Sequence, residues 1–131
     1  VLALPETPVS TQWAYRELAA SRASRRGGSA GAALLDGLMR GSTEERIRAM
    51  CARGNDFEAV VFGAHPELGS IRDQLEGLGA LGARLSGSGS AVFGLFGSAS
   101  QASDAGRAVE VLHSGVRCHV GEMMDALPGT Y

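Results

Sequence analysis

Apolar positions recur along the chain with two periods, and the switch between them divides it. Val1-Leu2-Ala3-Leu4 is an unbroken apolar run ended by Pro5, which predicts a short buried strand, with Glu6-Thr7-Pro8 as loop. Ser10 or Thr11 can cap the helix that follows, which carries Ala14, Tyr15, Leu18 and Ala19 on one face. Ser21–Ser29 has three Arg and no large apolar residue, so it reads as a solvated loop whose basic triplet can touch an anion. Ala30–Met39 predicts a small-residue helix with Leu34, Leu35 and Leu38 inward. Ser42-Thr43-Glu44-Glu45 has the spacing of a capping box, Ser at the N-cap and Glu three residues on, opening a helix that buries Ile47, Met50 and Cys51 and stops at Gly54. Asn55-Asp56-Phe57-Glu58 repeats the device, with Asn55 taking an orphan N–H and Phe57, Val60, Val61 and Ala64 forming the face. Pro66 suits the first turn of a further helix with Leu68, Ile71, Leu75 and Leu78 inward, closed by Gly79.

Beyond Gly79 the period shortens. Ala83-Arg84-Leu85 alternates, Ser86–Ser90 breaks, and Ala91–Phe96 is nearly all apolar, which predicts two strands around a glycine-rich turn. Ser98–Leu112 returns to helix with Ala105, Ala108, Val109 and Leu112 inward, ended by Gly115, and Val116–Val120 alternates as a last strand. The order strand, helices, two strands, helix, strand predicts an α+β ferredoxin-like sandwich. Its antiparallel sheet has helices on one face and extra helices inserted after the first strand.

Composition narrows the chemistry. The 131 residues are 44% hydrophobic and 20% charged with a formal charge of −2, as in an ordinary globular domain; nothing in that balance draws it to nucleic acid or an anionic membrane. No apolar run approaches the ~20 residues of a membrane-spanning helix. All 12 basic residues are Arg, which excludes a Walker-type phosphate loop and any Lys-based catalysis. Cys51 and Cys118 are too few for a disulfide framework and lack metal-ligand spacing, so a reducing, cytoplasmic setting is expected. Cys118 and His119 point to opposite faces of a strand, and no metal site is expected. The chain opens inside an apolar run without Met, which reads as a fragment whose upstream part is missing.

The segment that carries chemistry is Gly82–Gly94. Its glycines lead into a strand rather than a helix, which rules out a dinucleotide fold of the Rossmann type. A tight hairpin needs only one or two glycines. The alternating Ser86-Gly87-Ser88-Gly89-Ser90 instead exposes N–H groups and hydroxyls in a concave turn suited to phosphate oxygens.

GARLSGSGSAVFGLF (Gly82–Phe96) resembles the third motif of the GHMP small-molecule kinases, the glycine-rich loop of their C-terminal domain. VLALPETPVSTQWAYREL (Val1–Leu18), Asn55-Asp56-Phe57-Glu58 and His65-Pro66-Glu67-Leu68 are similar, in the same order, to the branch that acts on a cytidine-diphosphate-linked sugar alcohol. The resemblance implies ATP- and Mg²⁺-dependent phosphorylation of a hydroxyl of that small-molecule substrate, in isoprenoid synthesis. The catalytic groups and the main ATP-phosphate loop would lie in a missing N-terminal domain, leaving no catalytic residue here and the fragment inactive alone. It implies that Gly87, Ser88, Gly89 and Ser90 line the substrate cleft, that Tyr15 stacks on the cytosine and that Thr11 contacts substrate. Tyr15 also reads as core beside Leu18, and Thr11 as a helix cap. The alternatives are a homoserine- or mevalonate-type member, or a free-standing ferredoxin-like ligand-binding or regulatory domain. An uncovered interdomain surface would favour a dimer.

Overall fold

The computed structural model describes residues 1–23 and 41–123. The chain runs through β1 (Leu2–Pro5), α1 (Thr11–Ala23), α2 (Thr43–Ala52), α3 (Glu58–Ala64), α4 (Pro66–Gly77), β2 (Gly82–Leu85), β3 (Val92–Leu95), α5 (Ala99–Leu112) and β4 (Val116–His119). The four strands form one antiparallel sheet in the order β2-β3-β1-β4. Register is fixed by Leu2 opposite Phe93, Ala3 opposite Cys118 and Arg84 opposite Phe93. With α4 and α5 as the two crossovers this is the ferredoxin-like sandwich, and α1 to α3 are the insertion after the first strand.

Strand alternation decides what is buried. Ala3, Ala83, Leu85, Val92 and Val116 face Leu68, Ile71 and Leu75 of α4 and Ala105 and Val109 of α5, with Val61 and Ala14 completing the core. Each large side chain withdrawn there is worth about 1.5–3 kcal/mol. The capping box forms as spaced: Glu45 N–H donates to Ser42 Oγ at 3.3 Å, and Ser42 N–H to the Glu45 carboxylate at 2.7 Å. Pro66 takes the first turn of α4.

Helix α2 reaches β2 from the side opposite Ala83 and Leu85. A Cβ placed on Gly82 would overlap the Cβ and Sγ of Cys51, so only glycine lets helix and strand approach this closely. Arg84 Nε donates to the Cys51 carbonyl at 2.5 Å, and its Nη1 donates to Glu76 at 3.0 Å. The sheet's principal cover is therefore α4 and α5, with α2 clamped to the outer strand.

Several inward assignments are corrected. In β1 only Ala3 is buried, while Leu2 and Leu4 are each 38% exposed, because the described helices cover one face of that strand. Of the α1 stripe Ala14 and Leu18 are buried but Tyr15 and Ala19 are exposed. Met50, Leu78 and Leu112 are exposed and Ala64 also lies outside, whereas Ile47 is half-buried. Leu78 and Leu112 stand at helix ends, and α2 buries only Cys51. The solvated loop expected from Ser21 is corrected over its first three residues, which are the end of α1, and Arg22 there pairs with Asp56. The rest of that loop and the helix expected at 30–39 lie outside the described residues.

Candidate functional site: a glycine-rich loop beside an aromatic platform

The β2–β3 connection is a bend rather than a minimal hairpin. Ser86 N–H donates to the Ala91 carbonyl at 2.8 Å and Gly89 N–H to the Ser86 carbonyl at 3.0 Å. Gly87 and Gly89 have φ of 58° and 89°, the left-handed region that glycine enters without penalty. Among the described residues the N–H groups of Gly87, Ser88 and Ser90 have no protein acceptor. The loop thus offers amide and hydroxyl donors, the donor set that suits phosphate oxygens.

Two elements grip it. At the start of α1, Ser10 Oγ accepts the N–H of Trp13 at 3.2 Å and acts as the cap. Thr11 is thereby released from capping, and its hydroxyl lies 3.1 Å from that of Ser88. From the turn before α3, Asn55 Nδ2 donates to the carbonyls of Leu85 at 2.9 Å and Gly87 at 2.7 Å. Glu58 accepts the Leu85 N–H at 2.9 Å. Ser90 Oγ reaches the Pro5 carbonyl at 3.5 Å.

One helical turn from Thr11, Tyr15 is 60% exposed and not core. Its ring meets that of Phe57 edge to face, with centroids 4.9 Å apart and planes at 81°. Such pairs contribute about 0.5–1.5 kcal/mol beyond burial and hold both rings in orientation. Tyr15, Leu18, Arg22, Asn55, Asp56 and Phe57 line an open cleft of about 480 Å³. The turn carrying Asn55 therefore borders both cleft and loop. Thr11, Tyr15 and Ser88 come together as one neighbourhood, with Gly87, Gly89 and Ser90 in the same bend. Asn55, Phe57 and Glu58 had read only as a helix start; their links to the loop and to Tyr15 are long-range, and the signal for them was that motif's resemblance.

Among the described residues no positive charge touches the loop. Asp56 is paired with Arg22, and Glu58 lies 3.9 Å from Arg72, itself held by Asp73. Among the described residues no group of His, Cys, Asp and Glu is placed to share a metal ion. Cys51 is buried, and burial pushes its thiol above the ordinary range, Arg84 opposing. His65 joins α3 to α4 and stands edge-on to Trp13 at 5.9 Å. No described helix is long and apolar enough to cross a membrane.

The family described as "GHMP kinases C terminal" matches residues 34–113, more than half of the chain. The chain belongs to that GHMP kinase family. Among GHMP relatives, a protein of Solidesulfovibrio magneticus named 4-diphosphocytidyl-2-C-methyl-D-erythritol kinase is 49% identical over 100 residues, 73% of this chain and 32% of its own length. The Prosthecochloris aestuarii protein of the same name is 39% identical over 118 residues, 89% of this chain and 38% of its own. A crystal structure of 4-(cytidine 5'-diphospho)-2C-methyl-D-erythritol kinase superposes with a TM-score of 0.59 at 30% identity, over 85% of this chain and 39% of that one. The GHMP chain thus spans about a third of the length of the curated relatives it matches.

Proposed function

We propose that residues 1–131 form the C-terminal domain of an ATP-dependent kinase that phosphorylates a hydroxyl of 4-diphosphocytidyl-2-C-methyl-D-erythritol, a step of non-mevalonate isoprenoid synthesis in the cytoplasm. The names of the relatives support the substrate. The observation that carries the reading is the joining of an exposed aromatic ring to a donor-rich loop through the Thr11–Ser88 contact. In this reading Tyr15 stacks on the cytosine, with Phe57 setting its tilt. Thr11 and the free donors of Gly87, Ser88 and Ser90 meet the oxygens of the substrate, while Gly89, its N–H held by the Ser86 carbonyl, lines the cleft as part of the bend.

The loop's N–H and hydroxyl donors fit phosphate oxygens but not a metal ion. ATP supplies the phosphoryl group when bound. Transfer depends on positioning and on positive charge around the moving group. The described groups touching this loop carry none, and in this reading that charge, with Mg²⁺, is supplied by the N-terminal domain of such a kinase, as the family resemblance implies. This chain's part is to orient the substrate and wall off water. Separated from that partner, the domain leaves an apolar surface uncovered and self-associates; a clean monomer in light scattering at high concentration would count against this.

The test is Tyr15→Ala in the intact polypeptide carrying this chain. Loss of one base-stacking ring, about 1–3 kcal/mol, raises KM for the cytidine substrate roughly 5- to 150-fold and leaves KM for ATP unchanged. An unmoved substrate KM overturns the assignment of the cleft. The 131 residues alone, given ATP, Mg²⁺ and substrate, show no turnover.

A further inference from the structure

We infer that Asn55 is a positioning residue: one side-chain amide sets the glycine-rich loop and, through its own turn, the aromatic platform beside it. This rests on the proposed use of the cleft. Both Nδ2 hydrogens are committed, one to the Leu85 carbonyl at 2.9 Å and one to the Gly87 carbonyl at 2.7 Å. These two carbonyls flank Ser86, so the amide bridges the point where β2 becomes loop. Oδ1 accepts the N–H of Phe57 at 3.0 Å. The same functional group thus ties the loop to the residue whose ring abuts Tyr15.

The side-chain requirement is narrow. Two donors and an acceptor at this reach are what a primary amide supplies. Aspartate keeps the shape and the acceptor but turns a carboxylate toward two carbonyl oxygens, and serine keeps one donor at most. Glu58 reinforces the arrangement by accepting the Leu85 N–H at 2.9 Å, so Leu85 is held at its N–H by Glu58 and at its carbonyl by Asn55. With Asn55 displaced, the loop and Phe57 lose their common reference, and substrate orientation and loop placement fail together. Phe57 alone affects only the platform.

The experiment compares Asn55→Asp, Phe57→Leu and Tyr15→Ala in the intact polypeptide, by steady-state kinetics and by amide exchange. Ser86 and Gly89 report loop integrity, because their N–H groups are bonded within it, and Val109 reports the core. Loss of two hydrogen bonds in Asn55→Asp accelerates exchange at Ser86 and Gly89 about tenfold or more while Val109 is unchanged. It also lowers kcat at least about tenfold and raises KM for the cytidine substrate, whereas Phe57→Leu raises that KM and leaves kcat within about twofold. Unchanged exchange at Ser86 and Gly89 overturns the inference. So does faster exchange with unchanged kcat while Tyr15→Ala still raises KM. If Tyr15→Ala leaves KM unmoved, the reading of the cleft falls, and the joint-positioning claim falls with it. Should Asn55→Asp fail to fold, Asn55→Ser, whose hydroxyl can still accept the Phe57 N–H two residues on but keeps at most one donor, reads the same pair of signals.

Discussion

Alanine at Gly87 and at Gly89 separates two physical costs inside one loop. Both residues have positive φ, so each alanine incurs the left-handed penalty of about 1–2 kcal/mol, partly offset by about 0.4–1 kcal/mol because alanine has less freedom than glycine in the unfolded chain. At Gly87 nothing lies within 4 Å of the added methyl. Its net loss is therefore about 0–1.6 kcal/mol. At Gly89 the methyl would stand 3.2 Å from Leu85 Cδ1, with Val61 Cγ1 at 3.6 Å and Val9 Cγ2 at 3.7 Å. Leu85 and Val61 are fully packed and cannot give way, which adds an overpacking cost of about 1–3 kcal/mol. Gly89→Ala should thus lose about 1–4.6 kcal/mol in all. The chain's single Trp, Trp13, packs against the core and His65, so urea unfolding followed by its fluorescence measures both variants. A Gly87→Ala loss equal to or greater than that of Gly89→Ala would refute the packing argument.

Gly82→Ala drives its methyl into the Cβ of Cys51, which no rotamer moves, so about 1–3 kcal/mol is lost in urea unfolding and Cys51→Ala does not restore it; full rescue would show that Sγ alone was the obstacle. The Ser42 N–H, and after it the Ser42 hydroxyl, hold the Glu45 carboxyl below its ordinary value. With the folded pKa depressed, this contribution is present above the ordinary carboxylate pKa and is lost as pH falls through the folded one. Glu45→Ala therefore lowers the urea midpoint at neutral pH, and its gap from the parent closes in acid; a pH-independent gap contradicts this. Cys51, its thiol raised by burial, should resist a disulfide exchange reagent in the folded chain and react at once in urea, measured on a Cys118→Ser background.

What was legible in the sequence was local. The capping box of Ser42 and Glu45 closes within four residues, and Gly54, Gly79 and Gly115, all at positive φ, end elements where composition places them. With Pro5 and Pro66 as further breaks, the element order follows, and that order leaves the ferredoxin-like topology as the natural closure. The identity of the buried side was less legible. Ala14 and Tyr15 are neighbours on one stripe, yet only the first is buried, because α1 presents a narrow contact to the element it meets. A periodicity marks an apolar face but not the width that a distant partner covers. The site was hidden for the same reason. Thr11 meets Ser88 across 77 residues and Asn55 meets Gly87 across 32, and only the closed sheet brings either pair together. Thr11 could be judged a cap until Ser10 was seen to fill that place.

The charge around the loop says what kind of site this is. Among the described residues its polar contacts are the Thr11 hydroxyl, the Asn55 amide, the Pro5 carbonyl and the Glu58 carboxylate, neutral groups and one anion. Neutral donors can fix where an anion's oxygens sit, and do so with direction, but they offset little of its charge. A self-sufficient anion pocket would place a guanidinium here; among the described residues none contacts the loop, and Arg22, Arg72, Arg84 and Arg107 are instead engaged with carboxylates of the same fold. A loop rich in direction and poor in charge is suited to a shared cleft, in which a facing partner brings the cations and this side fixes the geometry. On the proposed function that division also accounts for a domain without a single Lys in a kinase family: positioning and charge neutralisation are separable contributions to phosphoryl transfer, and the loop's neutral donors suit the first.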